Sequence, residues 1–336
     1  MSAGDAGPRN GRQPKTTGPG VQHVTVDPEW AGQRLDNFLM ARLRDVPKSV
    51  VYRVIRKGEV RVNRSRARPN YRVAGGDVIR IPPVRSARSE APEKPLPGKR
   101  VQQLINRAVL EETATYLLVN KPAGMASHGG SGVDFGLIEV LRAARPQDRY
   151  LELVHRLDRD TSGIMLVARR RSALRDLQDQ MRHRTIGKRY RALVAGDWPD
   201  GLNDVSVPLL RVESPSGERL VRPDTEQGKS ARTRFRVLER FSGYTLVEAE
   251  PLTGRTHQIR VHTACQGHPI AGDAKYMDDA ARSAFARIGG DRLMLHAHAL
   301  GFAEPGSDSF QPQWHEAPAE PVFQRMLNRL RERENK

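Results

Sequence analysis

Leu153-Val154-His155-Arg156-Leu157-Asp158-Arg159-Asp160-Thr161-Ser162-Gly163-Ile164-Met165-Leu166-Val167-Ala168 is a polar bend between two apolar runs. Leu151 to Val154 on one side and Ile164 to Ala168 on the other read as short strands. Between them stand two acids, two arginines, a histidine, a threonine, a serine and a glycine. A loop this dense in chemistry, held at both ends by sheet, is a candidate site rather than a plain turn.

Working outward, the whole chain has 336 residues, 38% hydrophobic and 28% charged, enough for two domains. Its formal net charge is +17. A balance this basic points to a polyanionic partner, nucleic acid before anionic membrane. The charge is concentrated: Gly32 to Ser89 holds 15 Lys and Arg against 4 Asp and Glu, so +11 of the +17 lies there. The single cysteine, Cys265, excludes an intrachain disulfide framework or a Cys-based zinc site and fits a reducing compartment. No run nears the roughly 20 apolar residues of a membrane span. Residues 1–20 are rich in Gly, Pro and charge and lack a signal peptide's apolar core, so the expectation is a disordered tail on a cytoplasmic protein.

After that tail, Val21 to Val26 alternates as an edge strand. Leu35, Phe38, Leu39 and Leu43 share a helix face, and Pro47 opens a second helix that runs through Val51, Val54 and Ile55 to a C-cap at Gly58. A strand is expected over Glu59–Asn63, a turn at Gly75-Gly76-Asp77 and a strand over Val78–Ile81. Lys48, Arg53, Arg56, Lys57, Arg61 and Arg64 can offer one face to phosphates, contacts that position without reading sequence. Ser86 to Lys99 is Pro-rich and aperiodic. The division is therefore 1–20 tail, 21–85 basic domain, 86–101 linker and 102–336 second domain.

In the second domain the spacing predicts a strand from Glu112 to Val119 running into the turn Asn120-Lys121-Pro122-Ala123-Gly124, then a glycine loop at Ser127–Gly132. Helices follow over Phe135–Ala144 and Ser172–Met181, then a strand over Lys188–Gly196. Arg232–Glu239 and Tyr244–Glu250 form a hairpin about Ser242-Gly243. A late strand, Met294–Phe302, and a terminal helix, Phe323–Leu330, close the chain. Gly228-Lys229-Ser230 is not a nucleotide-phosphate loop, because the glycine it needs upstream is Pro223. His155, His257, His262, His268, His296 and His298 show no His-Glu-x-x-His spacing, so RNA contact or packing is expected of them and no metal.

His155-Arg156-Leu157-Asp158-Arg159-Asp160-Thr161-Ser162-Gly163 resembles the signature loop of the RNA pseudouridine synthases. Gly32-Gln33-Arg34-Leu35-Asp36, Arg56 to Asn63 and Gly76-Asp77 resemble an S4-like RNA-binding domain. Pro47 to Asn63 with Pro82-Pro83-Val84-Arg85 is most similar to the C type of the large-subunit ribosomal RNA enzymes. Asn120-Lys121-Pro122, Lys188-Arg189-Tyr190-Arg191-Ala192 and Thr253 to His262, with Gly267 to Asp273 after it, match further family segments.

The resemblance implies an α+β chain, a small S4-like domain followed by a mixed, mostly antiparallel sheet with its site in a central cleft. It implies that Asp158 is the catalytic carboxylate and that Tyr190 reaches the substrate base. A carboxylate beside RNA needs a cation to favour its charged form, and the alignment gives Arg260, with Arg255 the nearest rival. Arg156 is implied to fill the gap left by a flipped base, and Lys121 to stand on the site rim. Asp160 is expected to be structural, bonding loop amides.

Isomerising uridine to its carbon-linked form is redox-neutral, so no cofactor is expected. The expected partner is large-subunit ribosomal RNA or its precursor particle, met by a monomer. Two rival readings are a non-catalytic RNA-binding assembly factor and a glycosidase or nuclease. The first has no need of Asp158, and the second needs a second acid or a metal cluster.

Overall fold

The computed structural model describes residues 20–43, 46–84, 97–130, 133–213, 219–307 and 311–335. The expected tail up to residue 19, the linker from 86 to 96 and the end of the glycine loop at 131–132 lie outside the described residues. The chain divides into two units, Met1–Lys94 and Pro95–Lys336.

In the first unit, β1 (Gln22–Thr25), α1 (Leu35–Arg42), α2 (Lys48–Arg56), β2 (Arg61–Val62), β3 (Ser65–Arg66) and β4 (Val78–Ile81) follow in order. The antiparallel sheet runs β1-β4-β2-β3. Leu35, Phe38 and Leu39 of α1 and Val51, Val54 and Ile55 of α2 share a core with Val62, Ile79 and Ile81 of the sheet. Asp36 is buried in the first turn of α1. It is held by Arg34 through Nε at 3.1 Å and Nη2 at 2.6 Å and by the Tyr52 hydroxyl at 3.2 Å. These bonds keep its carboxyl below the ordinary range. The strand expected over Glu59–Asn63 is shorter, because Asn63 and Arg64 both take positive φ, 48° and 68°. That is the two-residue hairpin turn whose twist suits antiparallel strands, and it adds β3, which periodicity did not suggest.

The second unit opens with α3 (Lys99–Arg107), so the residues read as linker up to 101 already include its first turn. The hairpin β5 (Val109–Glu112) and β6 (Tyr116–Lys121) stands where one strand was expected. Next come α4 (Leu137–Ala144), β7 (Glu152–Leu153), β8 (Ser162–Ala168), α5 (Arg171–His183) and β9 (Gly187–Ala195). β10 (Asp204–Ser206), the side hairpin β11 (Leu209–Glu213) and β12 (Arg219–Pro223), and the long hairpin β13 (Arg232–Phe241) and β14 (Tyr244–Pro251) follow. The chain ends with α6 (Gln258–Cys265), α7 (Asp279–Arg287), β15 (Leu295–Phe302), β16 (Gln313–Glu316) and α8 (Pro321–Glu334).

The main sheet runs β10-β13-β14-β9-β15-β8-β6-β5, with β7 also on β8 and β16 also on β15. Every pairing in it is antiparallel except β8 with β15. Two cores result. One gathers β6, β8, α4 and α5 about residues such as Leu118, Leu141, Leu166 and Leu177. The other gathers β9, β14, α7 and α8 about Leu193, Val247, Phe285 and Phe323. Tyr190 on β9 packs against both and so marks the seam. The parallel contact is close: a Cβ on Gly163, whose φ is +120°, would lie 2.2 Å from the Ala297 carbonyl oxygen.

Candidate active site

The seam opens into a cavity of about 460 Å³. Its walls come chiefly from the bend before β8, the loop at residues 126–128, the start of β9, and the loop into α6 with the first turn of that helix. Asp158 is the only carboxylate among the described residues lining it, and the cations Arg156, Arg159, Lys188, Arg255 and Arg260 line it too. The Asp158 side chain is 34% exposed.

The bend is pinned on both sides of Asp158. Buried Ser127 donates its hydroxyl to the Leu157 carbonyl at 2.7 Å and accepts from the Leu157 N–H at 3.1 Å. Lys121, wholly buried, donates from Nζ to the carbonyls of Pro122 and Met125 at 2.8 Å and of Arg159 at 3.0 Å. The Thr161 N–H then closes the turn on the Asp158 carbonyl at 3.2 Å. Burial pushes the Lys121 pKa down to about 7. Three carbonyl acceptors nevertheless call for three N–H donors, which only the ammonium has. Lys121 is therefore not on the rim as expected. It is a strut under the loop, reached by no solvent.

Arg260 lies on α6, with Nη1 3.6 Å from Asp158 Oδ2. Its firm partner is Asp273, fully buried, which takes Nε at 2.7 Å and Nη2 at 2.6 Å in a bidentate pair. That pairing and the charge of Asp158 outweigh burial and raise the guanidinium's pKa. Its Cζ stands 5.1 Å from the centre of the Tyr276 ring. Arg255 also lines the cavity, but its Nε bonds the Ser230 carbonyl at 3.0 Å, so of the two arginines it is Arg260 that addresses Asp158. Asp273 was read from sequence only as the end of a turn; a buried acid beside a lone matched arginine is a pairing that spacing cannot show.

Tyr190 reaches the cavity from β9, half-buried. Burial, then the charge of Asp158, raise its phenol above the ordinary value, so the proton stays on oxygen. Lys188, two residues earlier on the same face, lines the cavity with no ion pair among the described residues, and burial lowers its pKa. Arg156 is exposed at the mouth. Its Nη1 donates to His128 Nε2 at 3.2 Å, while His128 Nδ1 donates to the Gly129 carbonyl at 2.8 Å. Asp160 points out, 52% exposed, with only Arg159 beside it at 3.4 Å, and bonds no loop amide among the described residues, contrary to expectation.

Lys48, Arg53, Arg56, Lys57 and Arg61 lie on the first unit, exposed and without ion pairs among the described residues. The structure thus brings Asp158, Tyr190, Arg260, Arg255 and Arg156 to one cavity, adds Ser127, Lys188 and His257 to its lining, and sets Asp273 behind Arg260. Ser127 and Asp273 act through backbone or buried contacts that leave no trace in spacing.

A basic unit and a sheet unit with one carboxylate in a cationic cavity make the layout of an enzyme that works on RNA. The comparisons make the class specific. The description "RNA pseudouridylate synthase" fits residues 115–265, and an S4 domain fits residues 33–79. A relative in Haemophilus ducreyi, named ribosomal large subunit pseudouridine synthase C, is 51% identical over 87% of this chain and 90% of its own. Its namesake in Escherichia coli strain K12 is 49% identical over 94% of this chain and 99% of its own. Among solved structures, human RNA pseudouridylate synthase domain containing 1 superposes with a TM-score of 0.54 at 27% identity, covering 65% of this chain and 86% of its own. Human RNA pseudouridylate synthase domain containing 4, at 24% identity over 69% of this chain and 96% of its own, shares the fold with a TM-score of 0.56. The chain belongs to the RNA pseudouridine synthase family.

Proposed function

We propose that this enzyme isomerises specific uridines to pseudouridine in large-subunit ribosomal RNA, with Asp158 as the catalytic carboxylate. One observation carries the assignment of Asp158: it is the only carboxylate among the described residues that line the cavity, whose lining also holds Arg156, Arg159, Lys188, Arg255 and Arg260. A hydrolytic glycosidase typically needs two acids flanking the bond. An isomerisation that keeps the base in the site needs one group to assist breakage of the N1–C1′ bond and formation of the C5–C1′ bond, after which the C5 proton leaves.

Arg260 sets the charge opposite Asp158. Tyr190, as a neutral phenol, offers its ring face and an O–H donor to uracil. Arg156 at the mouth is placed to occupy the space of the flipped nucleotide, at a flipping cost of a few kcal/mol, and Arg255 to take a flanking phosphate. The first unit's Lys48, Arg53, Arg56, Lys57 and Arg61 hold the RNA backbone. In this reading the work lies in the cytoplasm, with assembling ribosomes, and the lone cysteine fits a reducing compartment.

The test is tritium release from RNA transcribed with 5-tritiated uridine, with EDTA present and no cofactor added. Wild-type protein releases label at specific sites. Asp158→Asn loses at least about 1,000-fold in rate, the scale of removing a group the transition state requires, and keeps its RNA affinity. Wild-type release by pure Asp158→Asn would end the assignment of Asp158.

A further inference from the structure

His257 lines the same cavity beside Asp158. It precedes α6 with φ 52° and ψ 20°, a left-handed backbone that costs a non-glycine residue about 1–3 kcal/mol and persists only where surroundings impose it. Its Nδ1 lies 2.7 Å from the Tyr276 hydroxyl oxygen, and that same oxygen accepts the Val221 N–H of β12 at 3.1 Å. The hydroxyl makes no further hydrogen bond among the described residues, so its proton goes to Nδ1 and the imidazole's own proton sits on Nε2. Nε2 faces Asp158 Oδ2 at 3.8 Å. Arg260 Nη1 approaches the same oxygen at 3.6 Å.

We propose that His257 is a positioning residue for Asp158, its tautomer fixed by Tyr276 so that an N–H from one side and Arg260 from the other fix the carboxylate through Oδ2. The inference rests on reading Asp158 as the catalytic carboxylate. Both distances exceed hydrogen-bond length, as is common in empty sites that tighten around substrate. The groups facing the imidazole are Asp158, Arg260, Asp273, Lys275 and Tyr276. Burial first, and the cations Arg260 and Lys275 with it, lower its pKa against the pull of the two acids, so at neutral pH it holds a single N–H and the tautomer decides where that N–H points. Burial also raises the Tyr276 phenol to about 12, so it remains a donor. The link reaches further: Val221 packs with Leu209, Val261 and Tyr276, so the β11–β12 hairpin supports the same hydroxyl.

The test compares His257→Asn, His257→Gln and Tyr276→Phe in the full-length protein. Asn tolerates the left-handed backbone but its short side chain stops well before Asp158. Gln places an amide N–H near the Nε2 position. Phe keeps the ring under Arg260 and loses only the hydroxyl. The expected result is a fall in kcat of about 10- to 100-fold for Asn, recovery to within about threefold for Gln, and a fall of about tenfold for Phe, the scale of a misplaced reacting group. KM for RNA stays at the wild-type value throughout, and the thermal midpoint does so in the two His257 variants; Tyr276→Phe, which leaves the Val221 N–H without its acceptor, is compared by kcat well below its midpoint. Wild-type kcat in His257→Asn, or equal impairment in Asn and Gln, overturns the proposal. Asp158→Asn, run in parallel, separates the two failures. If it is inactive while His257→Asn is fully active, only the positioning role falls; if it is active, the reading of Asp158 falls and the proposal with it.

Discussion

A lysine that bonds three backbone carbonyls is a structural cation, and Lys121 has no surface from which to do anything else. Replacing it by Met leaves three carbonyls without donors beneath the loop. Unsatisfied buried polar groups cost about 1–3 kcal/mol each, lessened where the loop can relax toward water. We expect Lys121→Met to lower stability by about 3 kcal/mol in urea unfolding, and kcat to fall because Arg159, the neighbour of Asp158, loses its tether. KM for RNA should hold. A rim lysine would give the reverse: unchanged stability and a raised KM. Asp158, Tyr190 and Arg260, with Arg255 as the rival, were implied as site residues by the family resemblance of their segments, and all four line one cavity. Lys121 was legible as a matched residue but its place was not, since a lysine reads as surface until its surroundings are known. Asp160 shows the converse. Two residues past Asp158, it was expected to bond loop amides, and the turn closed by Thr161 N–H leaves it facing solvent instead.

Elements with one apolar face were legible. The helices α1 and α2, the terminal helix α8 and the hairpin β13–β14 fall close to where periodicity put them. Those that failed did so for physical reasons. In α6, Gln258 through Thr263 are all buried, so no polar face alternates with an apolar one and the pattern vanishes. In α3 only Ile105 is buried, too little to stand out beside a Pro-rich stretch. The parallel pairing of β8 with β15 joins residues more than 130 positions apart, and no local signal carries it. It does leave one trace, Gly163, read at first only as part of a loop. Gly163→Ala should force β8 and β15 apart or shift the bend, since a Cβ would meet the Ala297 carbonyl oxygen at 2.2 Å and its nitrogen at 2.6 Å, both backbone atoms. Overpacking and the φ of +120° together make a loss of about 3 kcal/mol or more. Differential scanning calorimetry should show the midpoint falling by several degrees, with tritium release falling too as Ser162, and the bend before it, move. An unchanged melting temperature would mean that the junction opens at little cost.

Across the whole molecule the charge is divided by task. In the first unit the exposed Lys48, Arg53, Arg56, Lys57 and Arg61 carry no carboxylate partners among the described residues, whereas in the second many arginines are spent on internal pairs such as Arg260 with Asp273, Arg292 with Glu320 and Arg331 with Glu239. Unpaired exposed cations gain nothing for the fold, so their number on one small unit is an argument for phosphate. The excess of charge in this segment was legible from counting, because net charge, unlike side-chain position, is additive. The consequence is measurable. Each phosphate contact adds about 0.7 to 0.9 to the slope of log affinity against log salt. Changing Arg53, Arg56, Lys57 and Arg61 together to Gln should therefore lower that slope by about 3 in large-subunit RNA fragments, if all four meet phosphate. KM should rise steeply at physiological salt while kcat at saturating RNA stays near wild type, because no changed residue lines the cavity. The surface positions leave the core of Phe38, Val54 and Ile79 untouched, so the thermal midpoint should not move. A slope equal to that of the wild type would show that this face is solvated rather than bound, and would shift the task of holding RNA onto the cavity's own Arg156, Lys188 and Arg255.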